Sequence, residues 1–376
     1  MRIKIINGNI FRPDNKFHKG NVEISDGIIV NETHENSGIE TIDAENKFII
    51  PALTDIHFHG CNGHDFCEGT QEALQAISDY EISVGVLTIC PATMTLPVEK
   101  LKNIMISAKK FSEYNTNLAG IYLEGPFISE HKIGAQNPKY IIKPDVEILK
   151  MLQKLSGGLI KIAVIAPEVE NGLEFIEQAK EITKLSIGHT VSDYETAKKA
   201  FNSGVTQATH LFNAMTPINH REPGVIIAAF ENNNVNVEII CDGVHLHSAI
   251  VRNVLKVFGS DRVIFISDSM EATGKPDGEY ELGGQKVIKA GNKALLENGT
   301  IAGSVTNLFD CMKKSVLEMG VEFETAVKCS AVNPVKALEI YDKQGSIEAG
   351  KLAKILILDK NLNIVYPSTV ARFPSP

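Results

Sequence analysis

The amino-acid sequence predicts an α/β fold in which a (β/α)8 barrel carries a small β-sandwich domain formed by the N- and C-terminal segments. Two observations predict the barrel: eight short, β-branched apolar runs follow one another along the middle of the chain, and amphipathic helical stretches fill most of the gaps between them. A third observation predicts the sandwich, because both ends of the chain consist of short strand-like runs and chain termini often lie close together. The length of 376 residues suits a large barrel with an appended domain.

The β-sandwich domain is predicted over residues 1–50 and 345–376, and the barrel over residues 51–344. Strand-like runs of the terminal segments include 22–24, 27–30 and 353–359, each bounded by turn residues. We therefore expect the two ends of the chain to pair with each other outside the barrel.

Strands and helices of the barrel are predicted in alternation. The strands are 47–57, 86–90, 118–124, 160–166, 185–189, 205–210, 235–241 and 262–268. The helical stretches include 71–83, 98–114, 172–183, 194–202, 249–258 and 306–318. Eight parallel strands with alternating helices favour a closed, TIM-like barrel. An open doubly wound sheet is the structural alternative, although the chain has neither the G-x-G-x-x-G nor the G-x-x-x-x-G-K-S/T nucleotide-binding fingerprint.

Composition and charge exclude several classes of function. Lys and Arg number 37 and Asp and Glu 46, which gives a net charge of −9 and argues against nucleic-acid or anionic-membrane binding. The N-terminus lacks the apolar region of a signal peptide, and no apolar run approaches the ~20 residues that span a bilayer. The six cysteines are scattered without a C-x-x-C pair, as expected for reduced thiols. We therefore expect a cytoplasmic protein in which a few placed cations hold any anionic ligand.

Side chains that bind metals stand at the ends of five predicted strands. They are His57, His59, Glu124, His189, His210 and Asp268. The carboxyl ends of barrel strands meet on one face, where active sites of this fold are built, and residues i and i+2 of a strand point the same way. Four imidazoles and two carboxylates at that face predict a site for one or two divalent metal ions.

Each of these residues has an ordinary structural alternative. An H-x-H pair occurs by chance, and a single buried histidine such as His189 or His210 is often only a hydrogen-bonded core residue. Glu124 precedes Gly-Pro and could belong to a turn, and Asp268 could cap a helix. Their coincidence at successive strand ends favours the metal site, because burying so many unpaired polar groups would cost several kcal/mol. In a second H-x-H sequence, we expect His245 to contact substrate and His247 to be structural, with a second metal pair as the alternative.

Several longer motifs resemble those of the amidohydrolase superfamily and, within it, the N-acetylglucosamine-6-phosphate deacetylases. The strand-end motifs are D-I-H-F-H-G at 55–60, L-E-G-P-F at 123–127, G-H-T at 188–190, T-H-L-F-N-A-M at 209–215 and S-D-S-M at 267–270. More specific are H-R-E-P-G at 220–224, A-T-G at 272–274 and G-T-I-A-G-S at 299–304. The resemblance covers residues 47–359 and implies a metal-dependent barrel that removes the acetyl group from an N-acetylhexosamine 6-phosphate.

This resemblance also implies roles for individual residues. Glu124, His189 and His210 would hold the metal that every member of the family keeps, and His57 and His59 would complete a second site. Asp268 would be the catalytic aspartate. The substrate-binding residues would be Ala135, Gln136, Asn213, Ala214, Arg221, His245 and the closing segment Ile301, Ala302 and Gly303. The family is usually dimeric, and its arginine at the position of Arg221 reaches the phosphate in the neighbouring subunit's site.

The expected reaction follows from the chemistry of an amide. A divalent cation, zinc or iron with cobalt or manganese as alternatives, lowers the pKa of bound water towards ~7 and polarises the carbonyl. Asp268 would take a proton from the water molecule as it attacks the amide and would then pass this proton to the leaving amine. Gln136 stands where some members of the family have a histidine, and its amide can donate a hydrogen bond but cannot supply a proton.

Three alternatives to this reaction stay open at this point. The substrate could be the galactosamine epimer, because the sequence does not decide the configuration at the 4-position. Another amidohydrolase activity, such as a ring hydrolase or a deaminase, is the nearest rival, although those families typically place a lysine or a further histidine where Glu124 stands. A non-catalytic scaffold of the same fold is the third.

Overall fold

A computed structural model of the chain describes residues 2–32 and 39–366. The terminal domain predicted over 1–50 and 345–376 therefore lies partly outside the described residues, at 1, 33–38 and 367–376. Five N-terminal strands come first: β1 (Arg2–Phe11), β2 (Phe17–Ser25), β3 (Ile28–Val30), β4 (Glu40–Asp43) and β5 (Phe48–Pro51). A bulge between Ile5 and Gly8 divides β1, so that β4 pairs with its first half and β5 with its second half.

The barrel strands follow, each parallel to the next. They are β6 (Leu53–Asp55), β9 (Val86–Ile89) with its continuation β10 (Ala92–Thr93), β11 (Ile121–Leu123), β12 (Ile160–Ile165), β13 (Lys184–Ile187), β14 (Gln207–Ala208), β15 (Asn236–Ile240) and β16 (Val263–Ile266). Between β6 and β9, β7 (Gly60–Cys61) and β8 (His64–Asp65) form a short antiparallel ribbon. The Asp268 N–H donates to the His57 carbonyl over 3.0 Å and so joins the eighth strand to the first. The predicted (β/α)8 barrel is confirmed.

Helices pack around these strands. They are α1 (Gln71–Ser83), α2 (Val98–Ser112), α3 (Val146–Leu155), α4 (Gly172–Ala179), α5 (Tyr194–Asn202), α6 (Gly224–Glu231), α7 (Ser248–Phe258), α8 (Leu308–Leu317), α9 (Phe323–Val327) and α10 (Asn333–Ala337). A π-helical turn, Lys328–Val332, joins α9 to α10, and single 3₁₀ turns occupy Phe66–Glu68 and Pro138–Tyr140. Capping side chains fix several starts: Thr70, for example, accepts the Ala73 N–H before α1. Among residues 2–32 and 39–366, no helix combines the length and hydropathy needed to cross a bilayer.

An antiparallel sheet over residues 278–296, the hairpin sheet, interrupts the barrel pattern after the eighth strand. It consists of β17 (Gly278–Leu282), β18 (Gln285–Ala290) and β19 (Lys293–Leu296). Its first turn contacts two barrel loops, because the Gly283 N–H donates to Asp65 over 3.2 Å and the Gln285 amide donates to the Ala135 carbonyl over 2.5 Å. The hairpin sheet therefore lies against the loops of the barrel mouth.

The C-terminal strands β20 (Ile355–Leu358) and β21 (Ile364–Tyr366) return to the N-terminal sheet, where β20 pairs antiparallel with β5. The single strand predicted over 47–57 is wrong: its first part is β5 of the terminal sheet and its second part is β6 of the barrel. Residues 49–57 are buried without interruption, although they contribute to separate apolar clusters. The terminal strands enclose their own apolar cluster, which includes Ile5, Ile24 and Ile357. The domain boundaries at 50 and 345 stay a prediction.

Candidate metal centre

Six side chains that the sequence singles out meet at the carboxyl ends of the barrel strands. Each of them lies within four residues of the end of a barrel strand. The strands are β6, β11, β13, β14 and β16. Each is at most 8% exposed. The structure thus brings together His57, His59, Glu124, His189, His210 and Asp268.

Glu124 stands at the centre of this cluster. Its Oε1 lies 3.0 Å from His210 Nε2, 3.1 Å from His189 Nε2 and 3.3 Å from His57 Nε2. Its Oε2 lies 3.3 Å from His59 Nε2. One carboxylate therefore faces four imidazoles, three at Oε1 and one at Oε2.

Asp268 closes the cluster on the side of the eighth strand. Its Oδ1 lies 3.3 Å from His59 Nε2 and 3.9 Å from His57 Nε2, and its Oδ2 lies 3.9 Å from His245 Nε2. The side chain keeps 11% of its surface exposed. It can therefore contact both the cluster and a molecule in the adjacent cavity.

The backbone at three of these positions is left-handed. The φ angles are 49° at His189, 28° at His210 and 51° at Asp268, a region in which non-glycine residues cost about 1–3 kcal/mol each and which is common at functional sites. The extended backbone of each strand therefore ends at or before these residues, and their side chains lie at the barrel mouth.

The donor set fits a divalent metal. Nδ1 of His189 lies 3.0 Å from the Lys132 carbonyl and Nδ1 of His59 lies 3.3 Å from the Ala92 carbonyl. Because a carbonyl oxygen only accepts hydrogen bonds, Nδ1 carries a proton in both rings. When either imidazole is neutral, its Nε2 therefore has a free lone pair, which faces the centre of the cluster. Nε2 of His57 is buried without a hydrogen-bond partner. Two groups of three ligand atoms, each within 4.8 Å, are available: His57, His59 and Glu124, and Glu124, His189 and His210.

Electrostatics in the cluster keeps the carboxylates ionised. Burial alone would raise the pKa of Glu124, but His57 and then His189 and His210 hold that pKa well below its ordinary value. Burial would likewise lower the pKa of His59, but Asp268 and Glu124 raise it to about 10. A divalent cation at the same nitrogens binds neutral imidazole and displaces these protons. Cation binding is therefore expected to release protons.

Two carboxylates that support the cluster were missed at the level of sequence. Glu238, on β15, accepts from His57 Nδ1 over 3.0 Å, and Asp242, after β15, contacts His245 Nδ1 over 2.7 Å. The signal for Glu238 is a charge in the middle of an otherwise apolar strand, V-N-V-E-I-I-C. Such a charge needs a partner inside the barrel.

A cavity of about 380 Å³ opens beside the cluster. Predicted residues that line it are His59, Glu124, Ala135, Gln136, His189, His210, Asn213, Ala214, His245, Asp268, Ile301 and Gly303. Ala302 is fully buried behind its neighbours. Arg221 is exposed and does not line this cavity of its own chain.

The amide of Gln136 is already engaged within the protein. Its Nε2 donates to Glu124 Oε2 over 2.6 Å and its Oε1 accepts the Thr95 N–H over 2.6 Å. Gln136 therefore orients the central carboxylate from the wall of the cavity, and one amide hydrogen is left to face a ligand.

The loop after β15 holds the second H-x-H sequence. Asp242 receives hydrogen bonds from His245 Nδ1 and, over 3.0 Å, from the Ser304 hydroxyl. Burial opposes protonation of His245, but Asp242 raises its pKa. His247 points elsewhere: its Nδ1 accepts the Ala249 N–H and caps α7. His245 thus lines the cavity and His247 caps a helix, and a substrate contact by His245 stays a prediction.

Comparison with known proteins adds relatives of stated activity. Residues 48–374 match the amidohydrolase family. The chain is 34% identical to an N-acetylglucosamine-6-phosphate deacetylase from Bacillus subtilis, over 85% of this chain and 83% of that protein. It is 27% identical to an N-acetylgalactosamine-6-phosphate deacetylase from Escherichia coli O157:H7, over 91% of each chain.

Solved structures of proteins with the same stated activity are also similar to this chain. A mutant N-acetyl-D-glucosamine-6-phosphate deacetylase from Mycobacterium smegmatis, in complex with N-acetyl-D-glucosamine-6-phosphate, superimposes with a TM-score of 0.90 at 28% identity, over 97% of this chain and 96% of that one. The N-acetylglucosamine-6-phosphate deacetylase from Thermotoga maritima gives a TM-score of 0.86 at 31% identity, over 96% of each chain.

Proposed function

The chain belongs to the amidohydrolase family, and from that premise we propose that it hydrolyses the acetamide of N-acetylglucosamine 6-phosphate to glucosamine 6-phosphate and acetate. The observation that carries the proposal is the convergence of four imidazoles and two carboxylates at one cavity of the barrel mouth. The named activities of the relatives support the choice of substrate. Catalysis in this family depends on metal, and the cluster has the donors that a metal requires.

We propose that Glu124, His189 and His210 hold one divalent cation and that His57 and His59, with Glu124, hold a second. When bound, such a cation activates water and polarises a carbonyl oxygen. Nitrogen and oxygen donors suit zinc or iron, with cobalt or manganese as alternatives.

Asp268 is the proposed acid–base group. Its carboxylate faces the cluster and the cavity, so it can take the proton from the water that attacks the amide carbon. The same carboxylic acid then gives the proton to the amide nitrogen as the C–N bond breaks. One water is consumed, and the products are acetate and a free amine.

Residues around the cavity would orient the sugar phosphate. His245, fixed by Asp242, offers its Nε2 to the cavity, and Gln136 and the backbone of the closing segment 301–303 flank the reacting amide. The remaining proposed contacts are Ala135, Asn213 and Ala214.

We propose that the active form is a homodimer in which Arg221 binds phosphate in the neighbouring subunit's site. Two features support this: Arg221 is exposed and does not line its own chain's cavity, and the nearby Ile218 is 50% exposed. A guanidinium suits phosphate because it donates two parallel hydrogen bonds. We further propose a cytoplasmic location, which the six buried free cysteines support.

The test is acetate release by protein that has been stripped with a chelator and reloaded with one metal at a time. The substrates are N-acetylglucosamine 6-phosphate, its galactosamine epimer and unphosphorylated N-acetylglucosamine. We expect metal-dependent release that is fastest with the first. A higher kcat/KM for the galactosamine epimer would favour the second candidate function, which the relative from E. coli supports. Metal-loaded protein that releases no acetate from either phosphosugar would overturn the proposal.

A further inference from the structure

We propose that Glu238 is a positioning residue that holds His57 in the orientation and tautomer required to bind the cation of the His57–His59 pair. The inference rests on the proposed metal-dependent function. Glu238 is completely buried on β15, below the cluster, and is not itself one of the grouped ligands.

Both oxygens of Glu238 are engaged by donors from other strands. Oε2 accepts from His57 Nδ1 over 3.0 Å and from the backbone N–H of His210 over 3.3 Å. Oε1 accepts from the side-chain amide of Gln207. One carboxylate thus contacts a proposed ligand after β6 through its side chain and a proposed ligand after β14 through its backbone.

An acceptor at this place determines which nitrogen of His57 carries the proton. A carboxylate cannot donate, so Nδ1 holds the hydrogen and Nε2 presents its lone pair to the cluster. This Nε2 is buried and makes no hydrogen bond, as expected for a nitrogen kept for a metal ion. The Tyr122 ring packs against His57 with its centroid 4.3 Å away, which limits rotation of the imidazole.

His57 differs in this respect from the other imidazoles of the cluster. His59 and His189 donate from Nδ1 to backbone carbonyls, and Nδ1 of His210 has no hydrogen-bond partner. Among the described residues of the cluster, only His57 has a charged side chain as the partner of its Nδ1. A single substitution at Glu238 therefore changes the Nδ1 partner of His57 and of no other imidazole in the cluster.

The substitution is Glu238→Gln. The amide retains the size of the side chain, but it removes the negative charge beside His57 Nδ1 and one of the two acceptor oxygens that His57, His210 and Gln207 now share. The matched control is Glu81→Gln, which makes the same change at a position that is 1% exposed and whose carboxylate has no hydrogen bond.

The measurement is metal content by mass spectrometry after dialysis against graded chelator, without substrate, with acetate release recorded in parallel. We expect Glu238→Gln to bind the second cation, at His57 and His59, with about 10–100-fold lower affinity, as is usual when the partner of a ligating histidine is removed. The affinity for the first cation, at His189 and His210, is expected to stay unchanged. The control is expected to retain both. If the wild-type protein is active and Glu238→Gln binds both cations as tightly as the wild type does, the inference alone is overturned. If the wild-type protein binds no cation, the inference and the proposed function are both overturned.

A double variant tests whether Glu238 acts through His57. If Glu238 acts through His57, adding Glu238→Gln to His57→Gln causes no further loss of cation affinity. A further tenfold loss in the double variant would show that Glu238 acts by another route and would overturn the proposal. Circular dichroism of the metal-free proteins gives the folded fraction to which each affinity refers.

Discussion

Replacing Asp268 with Asn tests the central chemical step. The side chain faces His59 Nε2 over 3.3 Å and keeps 11% of its surface exposed, so the variant changes a group that touches both cluster and cavity. Asn is the right replacement because φ at this position is 51°, and Asn adopts the left-handed region more readily than Ala. The variant keeps the shape of the side chain and loses its negative charge and with it the proton acceptor. The expected loss in kcat is about 10²–10⁴-fold, or about 3–5 kcal/mol in the barrier.

The assay is steady-state acetate release by wild-type and variant proteins of equal, measured metal content. We expect kcat to fall while KM for N-acetylglucosamine 6-phosphate changes little, because an acid–base group acts mainly in the transition state. Turnover within tenfold of wild type, at equal metal content, would refute the role of Asp268 as proton carrier.

Two further substitutions probe the proposed phosphate contact of Arg221 and the buried carboxyl group of Glu81. Arg221→Ala should lower kcat/KM for the phosphorylated sugar by about 10–100-fold, the worth of a charge-assisted hydrogen bond, and leave unphosphorylated N-acetylglucosamine unaffected; an equal loss with both would remove the phosphate role. Burial and then Asp55 raise the pKa of Glu81 well above its ordinary value, so the folded protein retains a proton that the unfolded chain releases as pH rises through about 4.3. Relative to wild type, Glu81→Gln should therefore gain unfolding free energy as pH rises above about 4.3, by at most about 1.4 kcal/mol per pH unit in urea unfolding, and a pH-independent difference would contradict this.

The positions of the proposed ligands could be predicted from the sequence because barrel geometry relates strand ends to one another. His57 and His59 share a strand-end motif, and Glu124, His189, His210 and Asp268 each follow a separate apolar run. In a closed barrel such residues converge whatever their separation in sequence. The helices at 71–83 and 194–202 agree with α1 and α5 to the residue, since their amphipathic periods begin at capping residues.

The remaining features depend on information that local patterns do not contain. Residues 49–57 are all buried because β5 and β6 both lie in protein cores, and burial does not reveal that the two strands belong to different sheets. The hairpin sheet carries its signal in the Gly283-Gly284 and Gly291-Asn292 turns between alternating residues, but the predicted alternation of strands and helices assigned no element to this segment. The place of Arg221 relative to a partner's site is a matter of assembly and has no periodic signature.

Closure of the barrel and assembly of the site are the same event at the seam between β16 and β6. The strands β10 to β16 pair in sequence order, so in an open sheet of this order the first and eighth strands would lie at opposite edges. Instead the Asp268 N–H donates to the His57 carbonyl over 3.0 Å, and Ser267 donates to the Asp55 carboxylate. The open alternative is thereby excluded. Because the proposed proton carrier and a proposed metal ligand share this backbone bond, a change that opens the seam must separate them as well.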